Sequence, residues 1–326
     1  MKRPIVNIEK STTEFLKGIA IFLVILGHMG YIYRGGTWGV SLFLILSGYG
    51  IFKSFLKNGT KDFLKKRLLK VFLPYLLVTL FVLSYSFLRY RIGRKTIIFS
   101  LLGIDFGFLC DPTMWYISFI FVQYLIFYLS TFLFRKLKSE NLKHFSIIAL
   151  CLILSILVNL LNEKFEIWHP GSGIFLYVYS FGFGLLLAKL SEFKINATLK
   201  NLLLSLTIFL SALLILFFYN RVEFGYKYFL YANAFPVLLI ALNELKPFEF
   251  KSKLINFLGE ISYDLYLWEG FFVVMRNELF APLKYQILIN LFTLIFCIFF
   301  SKIYNKVFIK PITSLIEKKC YNKTTI

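Results

Sequence analysis

A lysine and a histidine stand eleven residues apart within one apolar run, Glu14-Phe15-Leu16-Lys17-Gly18-Ile19-Ala20-Ile21-Phe22-Leu23-Val24-Ile25-Leu26-Gly27-His28. An imidazole takes up and releases a proton near neutral pH. Ionisable groups inside hydrocarbon are costly, so a functional reason for them is the default expectation. Eleven residues make about three helical turns, which brings Lys17 and His28 within about 20° of one helix face and about 16 Å apart along its axis. Glu14 sits one turn before Lys17, close enough to pair with it. The stripe is expected to carry a cation near one membrane surface and a proton-handling ring deep within or beyond the midplane. The structural alternative is a histidine hydrogen-bonded between helices.

Four further segments carry polar groups in apolar surroundings. Gly39-Val40-Ser41-Leu42-Phe43-Leu44-Ile45-Leu46-Ser47-Gly48-Tyr49 contains Ser47 and Gly48, small residues that permit close helix packing. Lys65-Lys66-Arg67-Leu68-Leu69-Lys70 is a basic cluster. Taken alone it suits anionic lipid headgroups; Arg67 and Lys70 also suit the polyphosphate of a cytosolic ligand. An aromatic belt accounts for Trp115 and Tyr116 but not for Gln123, beside Tyr124, which needs an interhelical partner. In Ile261-Ser262-Tyr263-Asp264-Leu265-Tyr266-Leu267-Trp268-Glu269, the acids Asp264 and Glu269 must be paired or neutral in an apolar span. Glu269 would orient His28 if the two spans touch. His144 and His169 flank apolar runs and are read as loop residues.

The elements that must position these groups are transmembrane helices. Of 326 residues, 58% are hydrophobic, 20% aromatic and only 17% charged, against about a quarter charged in a soluble domain. The apolar runs are continuous rather than alternating, which excludes a β-barrel. At about 20 residues per span, ten fit: 14–33, 38–56, 72–90, 113–134, 144–161, 172–190, 200–219, 228–244, 257–275 and 285–304. With the N-terminus inside, Lys and Arg divide 26 to 10 between the two sides, a bias that puts both termini in the cytoplasm. Basic residues before the first apolar run resemble a signal peptide, but no cleavage pattern follows, so the run is read as an uncleaved span.

The net charge of +20 follows from the loop bias, so no nucleic-acid partner is expected. Four cysteines without paired spacing indicate neither a metal site nor a disulfide framework. The fold class is therefore an all-α polytopic membrane protein of about ten helices, read as one domain over 1–326. A basic interfacial cytoplasmic helix is expected over 57–71.

In order along the chain, these segments resemble the membrane-bound acyltransferase-3 family, the sugar O-acyltransferases of bacterial envelopes. Glu14-Phe15-Leu16-Lys17-Gly18 followed by His28 is similar to the family's Arg/Lys-x10-His signature. Further matches are Gly39-Val40 to Ser47-Gly48, Arg67-x-x-Lys70 before Pro74, Trp115-Tyr116-Ile117 with Gln123-Tyr124, and Ser262-Tyr263 to Trp268. Four positions depart from the pattern: Lys17 where arginine is common, Ser41 where an acid is frequent, Lys70 for a second arginine, and Glu269 where histidine is often found.

The resemblance implies transfer of an acyl group, usually acetyl, from acyl-CoA as co-substrate to a hydroxyl of an envelope carbohydrate at the cell membrane. No permanently bound cofactor is implied. His28 would act as general base or transient acyl carrier, with Glu269 beside it as a second catalytic group. Lys17, Arg67, Lys70 and Glu14 would bind the donor, and Ser47, Trp115, Gln123, Tyr124, Asp264 and Trp268 would line or pack the site. A transporter or flippase for a lipid-linked or small sugar is the rival reading, since it too is polytopic and carries buried charge.

Overall fold

A computed structural model describes residues 2–32, 34–168, 172–219, 228–245, 252–280, 286–312 and 314. His169, Cys320 and most of the basic loop 246–253 lie outside the described residues. A short strand β1 (Lys2–Pro4) precedes α1 (Lys10–His28) and α2 (Gly35–Asn58). Next come α3 (Phe63–Arg67), α4 (Leu73–Arg89), α5 (Arg94–Leu102), α6 (Trp115–Leu133) and α7 (Glu140–Phe165). After α8 (Ser180–Leu190), strand β2 (Lys194–Asn196) leads into α9 (Ala197–Tyr219) and α10 (Tyr228–Leu245). The chain closes with α11 (Lys253–Glu260), α12 (Ser262–Phe280) and α13 (Gln286–Tyr304).

Eight helices among the described residues are long and apolar enough to cross a membrane. Two of the ten expected spans fall outside that group. The 172–190 stretch forms a shorter apolar helical segment, Ile174–Leu190. The 257–275 stretch is divided at Ile261 into α11 and α12, and α12 carries Asp264, Glu269, Arg276 and Glu278. The protein is an all-α, multi-pass membrane protein.

The first span ends earlier than its apolar run suggests, and the cause is local. Gly30 adopts φ +80; its N–H bonds to Gly27 O at 3.1 Å while Tyr31 N–H bonds to Leu26 O at 2.9 Å. That pair of bonds is the Schellman termination, which needs a left-handed residue glycine adopts without strain. The helix is therefore cut at His28. A second irregularity lies between α3 and α4. Leu68–Phe72 is a π-helical turn, with Leu73 N–H reaching back to Leu68 O. Pro74 follows at once, and a proline cannot supply an amide to the preceding turn.

The chain divides into two compact units, one of residues 1–61 and 118–260 and the other of 62–117 and 261–326. In the first, helices approach through glycine. A side chain at Gly39 would overlap Ala20 O, one at Gly48 would overlap Phe181 O, and one at Gly184 would overlap Ile45 O. Helices with little hydrophobic drive between them gain stability from such close backbone packing. The β1–β2 ribbon is antiparallel with Arg3 opposite Ile195.

In the second unit, tyrosine hydroxyls tie helices to main-chain carbonyls. Tyr263 donates to Val71 O at 2.7 Å and Tyr304 to Pro74 O at 2.8 Å. Tyr266 donates to Thr113 O and Tyr75 to Ser100 O. The last of these holds α5, a nine-residue helix within a region read from sequence as a loop.

Candidate functional site

The predicted residues fall into both units. Glu14, Lys17, His28, Ser47, Gln123 and Tyr124 belong to the first, and Arg67, Lys70, Trp115, Asp264, Trp268 and Glu269 to the second.

On α1, the segment Glu14–Gly18 is seated against α11. A side chain at Gly18 would overlap Ile255 O, and one at Gly259 would overlap Glu14 O. Two glycines thus let the two backbones touch, and Lys17, half-buried, is carried on the face next to that contact. The ion pair formed by Glu14 is to Lys10, at 3.7 Å and largely exposed on the lysine side. A pair that open to water is worth about 0–1 kcal/mol. His28 is the last residue of α1 and is exposed. It lies at the helix end rather than deep within the span, because the Schellman turn stops the helix there.

Beyond His28 the chain turns through Arg34, which sequence reading counted only as a loop charge. Arg34 holds φ 61, uncommon for a residue with a side chain. Its guanidinium lies 4.4 Å from the centroid of the Tyr228 ring. Trp38, one turn on, stacks on Phe235 at 4.7 Å and donates to Tyr231 O at 3.2 Å. The start of α2 is thereby anchored to α10. Arginine over two tyrosine rings, Tyr228 and Tyr231, is a cation–π assembly, but its parts are nearly 200 residues apart, so no sequence spacing announced it.

Gln123 finds the interhelical partner its burial demanded: Ser155 on α7, with Ser155 Oγ 2.8 Å from Gln123 Oε1. Tyr124 packs its ring against Phe181 of α8 at 6.1 Å. Ser47 stands next to Gly48, whose missing side chain admits α8. These three are positions of helix packing. His144, expected in a loop, is instead buried in the second turn of α7, edge-on to Phe52 and Phe55. The helix begins at Glu140 because Ser139 caps it, its side chain accepting from Leu142 N.

In the second unit, Arg67 ends α3 half-buried, its guanidinium 5.7 Å from the Phe63 ring. Lys70 lies in the π-helical turn and is exposed. Helices with such turns are often functional; here the extra residue changes which face Lys70 presents relative to α4. Trp115 opens α6 directly after a 3-10 turn over Pro112–Met114, where Asp111 accepts from Thr113 N at 2.9 Å and Thr113 Oγ1 at 2.7 Å. Gly270 lets α12 sit directly on that Asp111–Thr113 turn. Asp111 and Thr113 went unnoticed in the sequence because an acid before a proline reads as ordinary turn chemistry.

On α12 the two acids part company. Asp264 accepts from Asn305 Nδ2 at 2.6 Å. Glu269, only 2% exposed, has Tyr266 and Cys297 as electrostatic neighbours. Trp268 is packed by Phe300 at 4.6 Å, Phe81 at 5.1 Å and Tyr304 at 5.4 Å. Glu269 is therefore a buried acid near a phenol and a thiol, on a helix whose neighbouring tryptophan is packed among rings.

A comparison with protein-family models matches residues 13–304 to an acyltransferase domain. No curated protein and no solved structure matches the chain in parallel comparisons. The matched stretch begins just before Glu14 and ends at Tyr304, so every predicted site residue lies within it. This chain belongs to the acyltransferase-3 family and is a membrane acyltransferase.

Proposed function

We propose that this acyltransferase uses acyl-CoA, acetyl-CoA foremost, as donor and a hydroxyl of a cell-envelope carbohydrate as acceptor. The observation that carries the reading is the geometry of α1. It presents a half-buried cation two turns in from its start and an imidazole at its far end. With both termini in the cytoplasm, as the charge bias favours, Lys17 lies towards the donor's compartment and His28 towards the acceptor's. The cell membrane is the location this implies.

The chemistry needs a base at one point. The His28 imidazole takes the acceptor O–H proton as that oxygen attacks the thioester carbonyl. The C–S bond then breaks, and the departing thiolate recovers a proton from the imidazolium. In the two-step variant the imidazole nitrogen attacks the thioester first, and the acyl-imidazole passes its acyl group to the hydroxyl. Arg67 and Lys70 are assigned to the donor's phosphates, for which guanidinium and ammonium are suited, and Lys17 to the donor with Glu14 as its neighbour. Glu269 is assigned to proton handling.

Membranes containing the protein should transfer radiolabel from acyl-CoA to carbohydrate, and His28→Ala should abolish this. Because His28 is exposed at a helix end, the variant should insert and unfold as the parent does. Transfer retained by the variant would remove the histidine from the mechanism. No labelling by the parent protein, with sugar moved across vesicles instead, would favour the transporter reading. Arg67→Ala should raise the donor KM more than it lowers kcat; unchanged donor affinity with lost turnover would contradict its role.

A further inference from the structure

An apolar groove runs between α8, α9 and α10 in the first unit, apart from every residue assigned to acyl transfer. It consists of two cavities of about 210 and 220 Å³ that share Phe183 and Val237 in their walls. Leu187, Leu203, Leu204 and Ile240 line the first part, and Leu214 and Leu230 the second. From Lys200 to Leu214 is fourteen residues of α9, about 21 Å of helix. That exceeds the roughly 15 Å of one leaflet of a ~30 Å hydrocarbon core. Only 11% of the apolar window of α9 is buried, so the groove lies on a helix that otherwise faces lipid.

One end of the groove is closed by charge and overhung by a basic ribbon. Lys200 Nζ lies 2.7 Å from Glu244 and 2.9 Å from Pro4 O, and Glu244 also accepts from Asn7 N–H at 2.7 Å. These groups satisfy one another and leave no net charge for a ligand. The ribbon supplies it. Ile5 and Ile195 line the groove, and Arg3 is registered directly opposite Ile195. Opposed residues in a strand pair share a face, so Arg3 stands on the groove side, exposed, while Lys2 and Lys194 fall on the other.

We propose that this groove holds one acyl chain of an anionic phospholipid whose phosphate rests on Arg3. The lining is predominantly apolar, its polar members apart from the paired Lys200 and Glu244 being Tyr179, Thr207, Ser211 and Asn233. The groove is long enough for an acyl chain of one leaflet, and a guanidinium on the groove side of the ribbon complements a phosphate bidentately. The site rests on membrane location alone and does not depend on acyl transfer.

The full-length protein in nanodiscs doped with phosphatidylglycerol carrying a diazirine near the end of one chain tests this. After irradiation, mass spectrometry should place the label on the groove-lining peptides of α9 and α10. Unlabelled phosphatidylglycerol should displace it, and inorganic phosphate should not. Arg3→Glu, an exposed change that the fold should tolerate, should lower labelling about fivefold while leaving a phosphatidylcholine probe unaffected. Val237→Trp should lower labelling by both probes, with an unchanged gel-filtration profile. Label spread equally over outward residues such as Phe209 and Phe292 would overturn the site. So would phosphatidylglycerol labelling of Arg3→Glu within twofold of the parent, or displacement by inorganic phosphate.

Discussion

The two units of this chain hold their helices together by different means. In the first, backbones meet at glycines: Gly18 and Gly259 between α1 and α11, Gly39 between α1 and α2, Gly48 and Gly184 between α2 and α8. In the second, where Gly270 makes one such contact with the Asp111–Thr113 turn, phenol groups also tie the helices, donating to carbonyls at Val71, Pro74, Ser100 and Thr113. Glycine contact has no tolerance for an added atom, whereas a tyrosine bridge loses one bond when its hydroxyl goes. The proposed donor-facing lysine is borne on the first kind of contact, and the buried acid Glu269 belongs to the second. The helix segment bearing Lys17 is thus set by backbone shape, whereas the helix bearing Glu269 is tied by side-chain hydrogen bonds of its tyrosines.

The comparison can be broken by substitution, and the expected effects are graded. The largest lies where the first unit departs from its own rule. The Lys200–Glu244 pair has side chains 8% and 4% exposed, and Lys200→Met strands a carboxylate, costing about 3–5 kcal/mol. Thermal unfolding in detergent micelles checks this, and the double variant with Glu244→Gln should recover most of the loss. Next comes Gly184→Val, which forces α2 and α8 apart at a cost of about 3 kcal/mol. Gly48→Val should behave alike. If either unfolds at the parent temperature, close backbone contact is not what secures this unit.

Tyr304→Phe should cost about 1–1.5 kcal/mol, the net worth of the one bond that the phenol adds at Pro74 O, a carbonyl that stays within the α4 helix. Measured by the same unfolding assay, a cost equal to that of Gly184→Val would erase the contrast between units. The smallest effect is expected at Ser155→Ala. It removes one bond to Gln123 for about 1 kcal/mol, without changing acyl transfer if Gln123 serves packing alone.

Much of the fold was legible because a bilayer simplifies the physics: spans must be long, apolar and helical. The demand that Gln123 find a partner on another helix follows from the same rule, and Ser155 meets it. What went unread was local punctuation and distant pairing. Gly30 was available as a termination signal, and its omission carried the first span five residues too far. The π-helical turn at Leu68–Phe72, where Leu73 N–H reaches back to Leu68 O, has no signature in the apolar periodicity. Arg34 beside Tyr228, Gly270 on the Asp111 turn, and β1 paired with β2 each join residues far apart in the chain. Periodicity reports none of these.

By itself the order of residues determined the membrane class, eight of the ten expected spans, the family, and the three-turn interval between Lys17 and His28. These depend on composition and on the repeat of a single helix, both of which are local. Only the tertiary structure decided that α11 packs on the Glu14–Gly18 segment, that His28 ends its helix exposed, and that Glu269 is buried with Tyr266 and Cys297 as electrostatic neighbours. Those outcomes depend on which helix surfaces are complementary enough to exclude lipid, and complementarity belongs to pairs of surfaces rather than to either sequence alone.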